Sequence, residues 1–321
     1  MLRERRAPVN GPRCVALRRS LASVAVLTSS VAMVMVTGCA RDDDRTGNGT
    51  TAGAPRDPDR GTWPAAQAAD GLAKGLALPL QSYLIGYAQQ VTVLRAQQAL
   101  QSACMAKFGF TYEPPEPGLH PPPSADDANM PRRYGVADLE QVRRHGYHLP
   151  DNSGEPPAYS MESEAAEAAL MGRTKTGEKP TTAGIPEGGC LGESERRIGR
   201  VDGALASRLN NQGFDSSQAD PAVREVVGKW SACMRQKGYT VSTPLDAAEL
   251  PGSLNAPSPT PREIAVAVAD VECKQSTDLV AVWFAAETAI QNELIEKNQL
   301  ALQEAKQTTE AAVRNAARTD S

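Results

Sequence analysis

The chain has 321 residues, of which 40% are apolar, 4% aromatic and 22% charged, with 34 Lys and Arg against 38 Asp and Glu. This composition excludes a collagen-like or wholly disordered chain, and a single long apolar run excludes a polytopic membrane protein. A net charge of −4 lacks the basic face that nucleic acid demands, so no nucleic-acid partner is expected.

The chain opens on a basic stretch, with Arg3, Arg5, Arg6, Arg13, Arg18 and Arg19 against Glu4 alone. An apolar run from Leu21 to Val36 follows, then Val36-Thr37-Gly38-Cys39. A positive start, an apolar middle and small residues before a cut make residues 1–38 a signal peptide. The cysteine after Gly38 resembles a bacterial lipobox, which implies diacylation of Cys39 through a thioether. A run of about 16 apolar residues is short for an uncleaved span, which wants about 20. Arg18-Arg19-Ser20-Leu21 leaves the twin-arginine and general export routes both open. Removing residues 1–38 takes away six Arg and one Glu, so the net charge becomes −9. Such a body is repelled by an anionic membrane surface, and the acyl chains must hold it, at about 0.8 kcal/mol per buried methylene. The expected location is therefore the extracytoplasmic face of the cell membrane. Residues 39–63 are polar and rich in Gly, Asp and Thr, and read as a flexible tether.

Residues 64–210 read as a first helical repeat. Leu80 to Lys107 carries Leu84, Tyr87, Val91, Leu94 and Leu100 at helical spacing, and Leu191 to Asn210 is helical again. Between them lies a long irregular insert, residues 113–180, with a Pro-rich loop, then MPRRYGVADLEQVRRHGYHLP, then the short helical pattern MESEAAEAAL. Residues 211–321 form a second repeat. Asp220-Pro221 opens a helix that runs to Lys237. Thr260-Pro261-Arg262-Glu263 combines an N-cap, Pro at the first helical position and Glu three residues after the cap. No Gly or Pro interrupts the chain from there to Ser321, which predicts one long C-terminal helix with a wider apolar gap at Lys274 to Asp278. After Ile295 the pattern turns polar, so the helix is expected to outrun its core and fray.

Cys14 lies in the signal and Cys39 takes the lipid, which leaves Cys104, Cys190, Cys233 and Cys273 in a compartment that tolerates disulfides. Four cysteines allow three pairings, and an internal repeat selects one. SACMAKFGFT (102–111) and SACMRQKGYT (231–240) match without a gap, each with a cysteine five residues before a helix-ending glycine. Each copy is followed by one more cysteine near the start of a later predicted helix. Cys104 is therefore expected to pair with Cys190, and Cys233 with Cys273. The fold class expected is all-α: two pseudo-repeated helical hairpins, each stapled by a disulfide, with the insert in the first.

LPLQSYL (78–84), ACM-x3-GFTY (103–112), RRYGVAD (132–138), HGYH (145–148), PEGGCLGE (186–193), CM-x3-GY (233–239), IAVAVADVEC (264–273) and ETAIQNELIEKN (287–298) form a set. As a set it resembles a family of secreted or lipid-anchored proteins of actinomycetes. The resemblance spans roughly residues 76–306; it implies an envelope location and brings no activity with it.

Candidate sites gather in the insert. His145 and His148, with His120 upstream and Asp138 and Glu140 nearby, could bind zinc or copper, but Gly146 and Pro150 weaken the helix this requires. Arg132, Arg133 and Tyr134 could grip a carboxylate or phosphate, or pair locally with Asp138 or Glu140. Gly188-Gly189 could form an anion-binding turn, or make room for the Cys190 bridge. Met105 and Met234 are expected to pack beneath the disulfides. Arg and Tyr are enriched at binding hot spots, so Arg132, Arg133, Tyr134, His145, Tyr147 and His148 are read as a partner-binding surface. No metal, cofactor or catalytic residue is expected. The function expected is that of a non-enzymatic, lipid-anchored envelope protein that meets a partner protein, a cell-wall component or a small ligand. The competing readings are a hydrolase of cell-wall polymer with paired carboxylates, and a ligand sensor with a deep pocket.

Overall fold

The computed structural model describes residues 66–150, 158–252 and 255–319, which belong to one unit of fold. The signal segment, Cys39 and the tether lie outside them. Eight α-helices carry the described residues, and no sheet forms among them. None of these helices is long and apolar enough to cross a membrane.

The two copies of the cysteine motif end two helices, α1 (Tyr87–Lys107) and, far along the chain, Pro221–Gln236. In each copy a serine hydroxyl donates to a carbonyl ten residues on, Ser102 to Tyr112 at 2.7 Å and Ser231 to Val241 at 2.6 Å. Gly109 and Gly238 take φ of +78° and +88°, which lets the N–H of Phe110 and of Tyr239 return to the Met105 and Met234 carbonyls at 3.2 and 2.9 Å. The repeat is thus one helix-ending device used twice.

Helix α2 (Leu139–His145) starts on Asp138, whose carboxylate accepts from the Glu140 and Gln141 N–H groups. Helix α3 (Glu164–Met171) ends at Gly172, against the start of α4 (Gly189–Ile198). A Cβ on Gly189 would sit 2.3 Å from the Gly172 nitrogen, so the glycines at 188–189 serve this close crossing and the bridge from Cys190 to Cys104. The expected single helix over 191–210 is broken by Gly199, and α5 (Ala204–Ser217) follows. Residues 79–83 form a separate 3-10 turn, so α1 starts later than its apolar pattern suggests.

Helix α6 (Pro221–Gln236) is followed by α7 (Pro261–Ser276) and α8 (Leu279–Thr319). Sequence alone joined the last two. They part because Asp278 adopts φ of +56°, a conformation Asp tolerates better than most residues, and Thr277 turns its hydroxyl back to the Cys273 carbonyl at 2.7 Å. Cys273, bonded to Cys233, therefore sits in the last turn of α7 and not near a helix start.

The long C-terminal helix is α8 alone, 41 residues and about 60 Å. It is the spine of the fold, with α1, α4, α5, α6 and α7 all packed against it. Its polar-looking end does not outrun the core. Leu302 is buried against Leu80 and Leu209, while Ala312 and Ala316 meet Val93, Ala96 and Ile198. Alanine carries little apolar weight in a sequence pattern, yet it lets helices approach closely. The largest core cluster lies where α2, α6, α7 and the first turns of α8 meet, around Trp230, Trp283, Tyr134, Met130 and Val266. A smaller cluster surrounds the Cys104–Cys190 bridge, with Met105 beneath it; Met234 belongs to the large cluster, as does Cys273.

Candidate functional site

Two helices of the core carry charge on their inner faces. On α7, Glu263, Asp270 and Lys274 stand at i, i+7 and i+11, so they share a face; on α8, Glu287 and Gln291 stand one turn apart. All five are fully buried. Charge in such a place is costly unless it is paired and hydrogen-bonded, and the insert supplies the partners.

Arg133 reaches Glu287 with both edges of its fork. Nε donates to Oε2 at 3.2 Å and a terminal nitrogen donates to Oε1. The same guanidinium donates to the Ala128 and Asn210 carbonyls at 3.1 and 2.9 Å and lies over the Phe214 ring. Tyr134 donates its hydroxyl to Glu287 Oε2 at 2.9 Å, and its ring packs on Trp283. Gln291 completes the set, donating to Glu287 Oε1 at 3.0 Å and accepting from the Leu80 N–H at 3.0 Å. Burial first, then the neighbouring Glu287 charge, pushes the Tyr134 phenol far above its ordinary pKa, so it stays a donor.

Tyr147 and His148 serve α7 in the same way. The Tyr147 hydroxyl donates to Asp270 Oδ2 at 3.2 Å, Trp230 Nε1 donates to Oδ1 at 3.0 Å, and Lys274 Nζ lies 3.0 Å from Oδ1 and 2.8 Å from the Val136 carbonyl. Burial pushes the Asp270 carboxyl up and the Lys274 ammonium down, and their attraction opposes both shifts. Glu263 Oε1 accepts from the Tyr147 N–H at 2.8 Å and lies 2.7 Å from His148 Nδ1. Arg132 donates to the Tyr147 and His148 carbonyls at 2.6 and 2.7 Å.

Arg133, Tyr134 and Tyr147 are 7%, 2% and 6% exposed, so they do not form the partner-binding surface that their residue types suggest. Arg132 is also turned inward, onto the two carbonyls. The guanidinium fork does recognise a carboxylate, but it is the internal Glu287, not Asp138 or Glu140. His145 and His148 do not converge: His148 faces Glu263, whereas His145 lines a polar hollow of about 280 Å³ with Asp70, Asp138 and Arg144. Among the described residues no group of three or more His, Cys, Asp or Glu is placed to hold a metal ion.

Two further concavities lie elsewhere, along α1. Leu94, 49% exposed, stands as a ridge between two hollows. One, of about 490 Å³, is lined by Ile85, Val93 and Val201, with Gln90, Glu195 and Arg200 at its edges. The other, of about 380 Å³, is bounded by Tyr87, Val91 and the prolines 115 and 117, and His120 lies at its margin. The Pro-rich loop is held along α1 by Gln98 to the Pro114 carbonyl at 2.8 Å, Tyr87 to the Gly118 carbonyl at 2.9 Å, and an Arg95–Glu116 ion pair. Apolar spacing along α1 does not set this face apart from the buried one. Its signal was composition: α1 has only Arg95 and Lys107 charged in 21 residues, and no acid.

No protein-family model, curated protein or solved structure matches the chain.

Proposed function

We propose that this is a non-enzymatic protein anchored by lipid at Cys39 to the extracytoplasmic face of the membrane, where it binds an envelope protein through the outer face of α1. On this reading it belongs with the actinobacterial envelope proteins that its motifs resemble. The observation that carries the binding role is the half-exposed Leu94 ridge with an apolar hollow on each side. A surface helix without acidic residues, in a mature chain of net charge −9, meets an apolar partner without charge repulsion. The hollows offer mainly aliphatic and proline surface, with polar side chains such as Gln90, Glu195, Arg200 and His120 around it, which suits an apolar protein segment.

A hydrolase would need two carboxylates facing one cleft, at least one with a raised pKa. The buried carboxyl that is pushed up, Asp270, is enclosed and occupied by Trp230, Tyr147 and Lys274. In the polar hollow, Asp138 caps α2 and Asp70 lies 3.6 Å from Lys74. These commitments favour binding over hydrolysis. The test is Leu94→Asp: crosslinking in living cells should lose the partner seen with the unaltered protein, at an unchanged melting temperature. Retention of the partner would overturn the assignment of this face.

A further inference from the structure

His148 is held at both ring nitrogens. Nδ1 lies 2.7 Å from the Glu263 carboxylate, and Nε2 lies 2.9 Å from the Ala256 carbonyl. A carbonyl oxygen can only accept, so Nε2 carries a proton. Glu263 Oε1 already accepts from the Tyr147 N–H, and an ionised carboxylate likewise requires a proton on Nδ1. With Glu263 ionised, both ring nitrogens donate and the ring is an imidazolium. The ring thereby ties the turn after α2 to two neighbouring pieces far along the chain, the first turn of α7 and the stretch 255–260 that leads into it.

We infer that His148 is a protonation-controlled latch, whose imidazolium fastens residues 255–260 to the insert and whose neutral form lets them go. The neutral ring has one proton to give. Kept on Nδ1, it faces the carboxylate, the stronger acceptor, and Nε2 then turns a lone pair toward the Ala256 carbonyl. The contact at 2.9 Å becomes repulsive, and the Ala256 carbonyl is released from the ring. Glu263, at the third position of its helix, would in an ordinary capping box turn back to the helix start; here Thr260 caps the Glu263 N–H at 3.2 Å, while the Glu263 carboxylate faces the latch.

The charged and titratable groups around the ring are Glu263 from α7, Arg132 from the insert, and Tyr147 beside it. The Ala256 carbonyl and then Glu263 raise the His148 pKa above its ordinary value, against desolvation and Arg132. The latch is therefore closed below about pH 6.5 and opens as pH rises through the raised value. A protein outside the cytoplasm meets the ambient pH directly, so the device would respond to it.

The experiment is a pH titration of the full chain by NMR, following the His148 ring and the backbone order parameters of Ala256 and Ser258. The ring should titrate above pH 6.5, and over the same interval both order parameters should fall from the rigid range near 0.85 to below about 0.6. In His148→Gln, which donates without titrating, they should be independent of pH. A ring midpoint at or below 6.5, order parameters that ignore the ring's titration, or the same pH response in His148→Gln would each overturn the latch. The first two outcomes are read on the unaltered protein and do not depend on the variant folding.

Discussion

Arg133 and Glu287, 154 residues apart in the chain, meet in the core as a forked ion pair that Tyr134, Gln291 and the Asn210 carbonyl complete. The pair joins the insert to the spine of the fold. The insert is thus a polar wedge: its side chains neutralise charges that α7 and α8 carry on their inner faces. Without it, Glu263, Asp270 and Glu287 would be buried carboxylates without partners from the insert.

Removing one member of such a pair leaves the other charge stranded, at a cost of about 3–5 kcal/mol. Arg133→Ala and Glu287→Ala should each lower the urea-unfolding free energy by that order. Arg133→Met combined with Glu287→Leu should cost much less than the two single changes together, because no charge is left behind. Equal costs for double and summed single variants would mean that the pair is not coupled.

Lys274→Met takes the ammonium from Asp270 and leaves the carboxyl in a closed site. Burial already raises that carboxyl, and losing Lys274 raises it further. A folded-state pKa above the unfolded value gives stability that is present at low pH and lost as pH rises. The variant should therefore be destabilised more at pH 7 than at pH 4, when melting curves are compared with the unaltered protein at each pH. An equal deficit at both would show that Asp270 does not depend on Lys274 for its charge.

The bridges close loops with sequence separations of 86 and 40. Non-reducing peptide mapping should recover Cys104–Cys190 and Cys233–Cys273. Losing either should cost within about 2–5 kcal/mol, and on chain entropy alone the longer loop should cost about 0.7 kcal/mol more. A larger loss at Cys233–Cys273 would point to packing around Cys273 in the main core rather than to loop length.

The all-α class and the repeated helix end were legible in the sequence, because a cysteine, a buried methionine and a left-handed glycine must sit at fixed offsets for the device to close. The Asp278 break was visible only as a gap in the apolar pattern, since no Gly or Pro marks it. The buried acids were legible in principle. Val280, Trp283, Glu287, Gln291 and Leu294 form the inner stripe of α8, but counting apolar residues alone moves the stripe to Ala286 and Ile290. Once Glu287 is placed inside, a buried arginine is demanded, and RRY in the insert is the natural source. Reading arginine and tyrosine as hot-spot residues failed because the same properties serve an internal carboxylate.

The anchoring proposed at Cys39 is checked apart from the fold. The unaltered protein should incorporate a fatty-acid analogue during growth, and Cys39→Ala should not, remaining as precursor or leaving the membrane fraction. An unlabelled wild type would remove the lipid anchor from the account.

The binding role of the α1 face is tested most directly by placing a photocrosslinking amino acid at position 94 in living cells, with position 300 as the control. Leu300 is also on a helix surface and is 87% exposed, but it lies on α8 outside the hollows. The account predicts a discrete protein adduct from position 94 in the membrane fraction and none from position 300. No adduct at 94, or the same adducts from both positions, would contradict it.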